Sequence, residues 1–132
     1  MKEITKEWIK KAEGDWKVAT REFNYDEPVY DIVCFHAHQC VEKYMKAILI
    51  ENEIRFEKIH DLEILLNQCK EILPELLIQK EALIWLTQYS VRVRYPGFEA
   101  TKEDAIRAVE TAKKIRQTIR NYLNLEVDNE NN

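Results

Sequence analysis

Apolar residues recur along this chain at spacings of three and four over most of its length, the period of an α-helix and not the period of two that marks a strand. From Ile4 to Phe23, the residues Trp8, Ala12, Trp16, Ala19 and Phe23 make one face, with lysines and glutamates elsewhere, which predicts a first helix. Asn24 to Val29, containing Asp26 and Pro28, reads as a connection. Tyr30 to Glu51 predicts the second and central helix. Its apolar arc, Val33, Ala37, Cys40, Val41, Tyr44, Met45, Ala47 and Ile48, is broader than one packing partner needs, so neighbours are expected on more than one side.

Asn52 to Ile59 is a charged link, and Asp61 stands where an N-cap belongs for a third helix carrying Leu62, Leu65, Leu66, Cys69, Ile72 and Leu73. Pro74 breaks or kinks that helix. A fourth is predicted over Leu76 to Val93 through Ala82, Leu83, Trp85, Leu86, Tyr89 and Val93, stopping at Pro96-Gly97. Thr101-Lys102-Glu103-Asp104 resembles a capping box with Asp at its third position and opens a last helix. There Ala105, Ala108, Ala112, Ile115, Ile119 and Tyr122 form a seam whose small residues admit a close neighbour. No alternating strand pattern and no internal repeat interrupts this reading. The expected fold is therefore all-α, an up-and-down bundle of about five helices in one domain over residues 1–125, with a polar tail over 126–132.

Composition agrees with a single helical domain, since 132 residues with two glycines and three prolines leave few turn signals for a sheet. The net charge of −4 argues against a broad non-specific grip on DNA or an anionic membrane, although a local basic patch on an acidic protein stays open. Cys34, Cys40 and Cys69 are odd in number, lie in apolar helical patterns and form no CxxC pair, which reads as reduced core thiols in a reducing, cytoplasmic setting. The N-terminus lacks a continuous apolar stretch and the longest aliphatic run is Ala47 to Ile50, so neither a signal peptide nor a membrane span is expected. Helix 2 is apolar beyond a normal bundle face, and helices 1 and 4 carry tryptophan-bearing seams. That apolar surface exceeds what five short helices cover for one another and predicts a homodimer.

Four groups of residues invite chemistry. His36, Gln39, Lys43 and Lys46 line up as a polar stripe on the central helix. Cys34, His36, His38 and Cys40 have the types of metal ligands, but on a helix Cys34 and His38 share one face while His36 and Cys40 share another, so no metal site and no cofactor is expected from them. Arg55 and His60, with four residues between them, could serve a metal-independent ribonuclease, the histidine moving a proton at a ribose 2′-hydroxyl while the arginine neutralises the scissile phosphate. The alternative is that His60 and Asp61 simply cap helix 3. Arg92, Arg94 and Tyr95, with Phe98 beyond the Pro96-Gly97 turn, suit a phosphate and a stacked base; they equally suit a helix end whose arginines offset its dipole.

The passage YDIVCFHAHQCVEKYMKAILI, followed by His60-Asp61-Leu62 and Arg94-Tyr95-Pro96-Gly97, resembles the HEPN family, the higher eukaryotes and prokaryotes nucleotide-binding domain. Trp8, Ala12, Asp15 and Ala19 in helix 1 and Asp104-Ala105 at the start of the last helix fit the same pattern. His38 stands where such sequences commonly carry glutamine. The resemblance implies a helical bundle that dimerises and is often encoded beside a small nucleotidyltransferase in two-component systems of the toxin and antitoxin type. It also implies, for some members, a ribonuclease with an arginine and a histidine separated by four to six intervening residues in the loop before the last long helix. Here that loop, Arg92 to Phe98, has no histidine, and the Arg55 to His60 spacing lies one helix earlier.

Two functional classes follow. One is a binding module in which His36, Gln39, Lys43, Lys46, Arg92, Arg94 and Tyr95 hold a nucleotide or RNA phosphate, with a nucleotidyltransferase as possible partner. The other is a metal-independent endoribonuclease with His60, Arg55 or His36 as catalytic candidates. A dimeric scaffold without ligand is the third option, and the loop without histidine favours the first.

Overall fold

The computed structural model describes residues 1–127; of the expected polar tail, 128–132 lie outside the described residues. Five α-helices run in order: α1 Glu3–Phe23, α2 Tyr30–Glu51, α3 Leu62–Cys69, α4 Lys80–Leu86 and α5 Lys102–Tyr122, with no strand among the described residues. The all-α expectation holds, and α2 is the hub, packing against α1, α3, α5 and the Thr87–Ser90 turn. Its apolar arc is wholly buried, from Val33 and Cys34 to Ile48 and Leu49. Each large side chain there contributes about 1.5–3 kcal/mol by leaving water.

Two helix starts are fixed locally, as their sequences predict. The Asp61 carboxylate accepts from the backbone N–H groups of Glu63 and Ile64 and so caps α3. At α5 the Thr101 hydroxyl accepts from Asp104 N–H at 3.1 Å while the Asp104 carboxylate accepts from Thr101 N–H at 2.9 Å, a complete capping box. Gly97 takes φ +91°, a left-handed conformation that a side chain would strain, and so turns the chain sharply after Pro96. The Asp31 carboxylate then accepts from Ala100 N–H at 2.7 Å and ties this turn to the start of α2.

Three expectations need correction. The third helix ends at Cys69, short of Leu73, and Leu73 turns out of helical geometry just ahead of a 3₁₀ turn that Pro74 opens. The fourth is not one helix over Leu76 to Val93 but α4 flanked by 3₁₀ turns at Pro74–Gln79, Thr87–Ser90 and Arg92–Arg94. The Thr87 hydroxyl donates back to Leu83 C=O at 3.0 Å and accepts from Leu62 N–H at 3.1 Å, so the chain tightens where α3 begins. Lastly, the tryptophan seams are partly covered within the chain, with Trp8 and Trp85 left half-buried. Trp16 is buried under the Arg116 guanidinium, Trp8 packs edge-on against Phe56, and Arg107 lies 4.3 Å over the Trp85 ring.

An ion pair with a buried arginine joins the long helices. Arg116 of α5 donates from Nε and one Nη to the Glu13 carboxylate of α1 at 2.7 and 2.8 Å, and the Tyr44 hydroxyl of α2 donates to the same group. Burial alone would raise the Glu13 pKa, but the donors from Arg116 and Tyr44 outweigh it and the carboxyl ends below its ordinary value.

Candidate functional site

The polar stripe of α2 is divided by what packs beside it. His36 and Lys43, seven residues apart and therefore on one edge, turn toward α1 and share a single carboxylate: His36 Nδ1–H donates to Asp15 Oδ1 at 2.8 Å and the Lys43 ammonium to Oδ2 at 2.6 Å. Asp15 is buried and its carboxylate oxygen accepts, which directs the Nδ1 proton of His36 to it and leaves Nε2 as the other ring nitrogen. A carboxylate holding an imidazole by Nδ1 is the arrangement that a general base or a phosphate-facing donor needs.

Arg94 belongs to the same corner. Its guanidinium lies 5.3 Å over the Phe35 ring, and Phe35 stands edge-on to His36 with centroids 5.2 Å apart. Among the described residues the fork is thus held by a ring face and not by an acid. Tyr95 is 61% exposed beside it. Arg92 turns instead onto Phe98, 5.7 Å over the ring, and Phe98 packs on buried Tyr89.

Lys46 lies elsewhere. It is only 5% exposed, donates to Glu42 Oε2 at 2.9 Å, and lies over the edge-on Trp8 and Phe56 pair, 5.8 and 5.4 Å from the two ring centroids. Glu42 is equally buried and accepts from His60 Nδ1–H at 2.7 Å through its other oxygen. His60 is therefore a second imidazole fixed by a carboxylate, and its side chain is 58% exposed. The expectation that His60 joins Asp61 in capping α3 is corrected, since Asp61 caps alone and the imidazole reaches back to α2. Buried His38 donates from Nε2 to His60 C=O at 2.9 Å, and its Nδ1 lies 3.1 Å from the Gln39 amide. Burial lowers the His38 pKa more than the His60 carbonyl raises it. Arg55 lines an open groove of about 740 Å³ with Phe56, Glu57, Ile59, Ile64 and Gln68, and His60 is not among its lining residues.

The buried cysteines are chemically quiet. Burial pushes Cys34 and Cys69 up to about 12 and Cys40 well above its ordinary value, so all three stay thiols. Among the described residues no group of three or more His, Cys, Asp or Glu side chains converges as a metal-binding set. No helix among them is long and apolar enough to cross a membrane.

Sequence reasoning missed Asp15 and Glu42 as the carboxylates that orient His36 and His60, and Phe35 as the platform for Arg94. Periodicity gives no signal for such pairings across 21 or 18 residues of chain. It could only note that acids stood at the edges of apolar faces.

The bundle, with its carboxylate-anchored His36 on α2 and its arginine-bearing turn before α5, matches the family model described as HEPN domain over residues 5–122. The chain belongs to the HEPN family. It is similar to "Putative toxin MJ1304" of Methanocaldococcus jannaschii, 32% identical over 139 aligned positions that cover 88% of this chain and 86% of that protein. No solved structure gives a significant match.

Proposed function

We propose that this HEPN protein binds a nucleotide or RNA phosphate at the corner formed by Arg94, Phe35 and the Asp15-held His36. We propose further that it works in the cytoplasm as a homodimer, paired with a small nucleotidyltransferase in a system of the toxin and antitoxin type. The observation that carries the reading is the placement of Arg94: a guanidinium on an aromatic face, with no acid among the described residues to neutralise it, beside an imidazole whose free nitrogen is Nε2. A phosphate gains paired donors from the fork beside the His36 ring, and exposed Tyr95 offers a ring to a base. The likeness to a protein named as a toxin supports the two-component setting.

Titration of mononucleotides and short RNA by fluorescence anisotropy tests it. Arg94→Ala should weaken binding and flatten its salt dependence by about 0.7 in slope for the lost contact, and leave the melting temperature nearly unchanged. Tyr95→Ala should cost about 1–3 kcal/mol of binding if the ring stacks on a base. Absence of binding to the wild type at millimolar ligand refutes the reading.

The endoribonuclease reading is favoured by a separate observation, the anchoring of two imidazoles by Nδ1. In that reaction Nε2 of one histidine takes the 2′-hydroxyl proton as O2′ attacks phosphorus, the P–O5′ bond breaks, and the departing 5′-oxygen takes a proton from water, leaving a 2′,3′-cyclic phosphate. Cleavage of RNA in the presence of chelator, abolished by His36→Ala or His60→Ala, would establish it; intact RNA at high enzyme concentration excludes it. Co-expression with the gene encoded alongside tests the pairing, because relief of growth arrest by a nucleotidyltransferase partner is the expected result.

A further inference from the structure

The acidic net charge of the chain conceals a basic face on α1. Four of this helix's acids are engaged: Glu3 holds Lys6, Glu13 holds Arg116, Asp15 holds His36 and Lys43, and Glu22 accepts from Val29 N–H. Its exposed cations Lys10, Lys11, Lys17 and Arg21 pair with no acid among the described residues, and Glu7 is the exposed acid left among them. Lys10, Lys17 and Arg21 fall on one side of the helix, opposite the buried face of Ile9, Ala12, Trp16 and Ala19.

Gly14 sits in the middle of this row. It lies inside a regular helix, and a Cβ built there meets nothing within 4 Å. Nothing among the described residues calls for a glycine, which weakens a helix relative to almost any other residue. An open glycine instead lets an outside group approach the backbone closely. Beside it runs a groove of about 630 Å³ lined by Lys10, Glu13, Gly14, Trp16, Lys17 and Thr20.

We infer that this face of α1 tracks the sugar–phosphate backbone of a single-stranded RNA, so that the ligand is a polynucleotide and not a mononucleotide. The inference rests on the phosphate-binding reading above and extends it to a second surface. Lys10 to Arg21 spans about 16 Å along the axis, room for several phosphates of an extended strand. A row of lysines suits point-charge contacts to a polyanion. It suits a protein partner poorly, because lysine is depleted at interface cores and Val18 is the sole partly apolar anchor within the row. Lys11 carries the charge around the helix to the groove it shares with Lys43, at the edge of the His36 corner.

The test compares a labelled oligouridine long enough to span α1 with a mononucleotide, on wild type, on Lys10→Ala/Lys17→Ala/Arg21→Ala, and on Gly14→Gln. The triple variant should lose about a hundredfold in oligouridine affinity at 0.05 M salt and flatten the slope of log K against log salt by about 2, at roughly 0.7 per contact. Its mononucleotide affinity and melting temperature should match wild type. Gly14→Gln should melt higher and bind oligouridine more weakly, opposite directions that a purely structural glycine does not give. If the triple variant binds oligouridine as wild type does while mononucleotide binding is intact, the α1 surface is refuted and the Arg94 site stands. If wild type binds the mononucleotide no better than an Arg94→Ala variant, the Arg94 reading fails instead.

Discussion

Glu42 and Lys46 form a buried pair whose disruption has a calculable cost. Glu42→Leu would leave the Lys46 ammonium, 5% exposed, with two ring faces and no anion. Removing one partner of a buried pair costs about 3–5 kcal/mol, whereas replacing both by apolar groups of similar volume is close to neutral. For a domain of this length that loss corresponds to a fall of roughly 10–20 °C in melting temperature, and to a large share of a typical total stability of about 5–15 kcal/mol. Lys46→Met should be milder, because Glu42 keeps the His60 N–H as a donor. The double variant Glu42→Leu/Lys46→Met should recover most of the stability lost by Glu42→Leu, so the two changes are non-additive. Urea unfolding followed by circular dichroism and by tryptophan fluorescence, with Trp8 beside the pair, measures all three. A loss under about 1 kcal/mol for Glu42→Leu, or a double variant as unstable as the sum of the singles, would falsify the reasoning.

Other outcomes follow from the same geometry. His38 has a folded-state pKa below its ordinary 6.5 because of burial, so the unfolded chain takes up a proton first as pH falls. Stability should be full above that value and decline toward the lowered folded-state value, by at most about 1.4 kcal/mol per pH unit, and His38→Gln should remove this part of the curve in pH-dependent melts. Thr101→Ala breaks the capping box of α5 and should cost about 0.5–2 kcal/mol in urea titrations, with Thr101→Ser close to wild type. Light scattering should give twice the 15.8 kDa chain mass at micromolar concentration, and a clean monomer would rule out the proposed homodimer.

Much of the fold was legible in the sequence because its determinants are local. A spacing of three and four commits a face to the core whatever packs on it, and the Asp61 cap and Thr101 box close within three residues of chain. The starts of α3 and α5 and the buried arc of α2 follow from these alone. The break-up of the predicted fourth helix was not legible, because the Thr87 hydroxyl that tightens the chain there also receives Leu62 N–H from 25 residues away. The site divided in the same way. Sequence placed His36, Gln39, Lys43 and Lys46 in one row, since periodicity assigns a direction to every side chain on a helix. Only packing decided that His36 and Lys43 share Asp15 of α1, that Lys46 is enclosed with Glu42 beside the Trp8 and Phe56 rings, and that Arg94 rests on Phe35. A polar side chain at the border of an apolar face goes outward or inward according to the partner brought opposite it. That partner is supplied by another helix, at a separation no local pattern records.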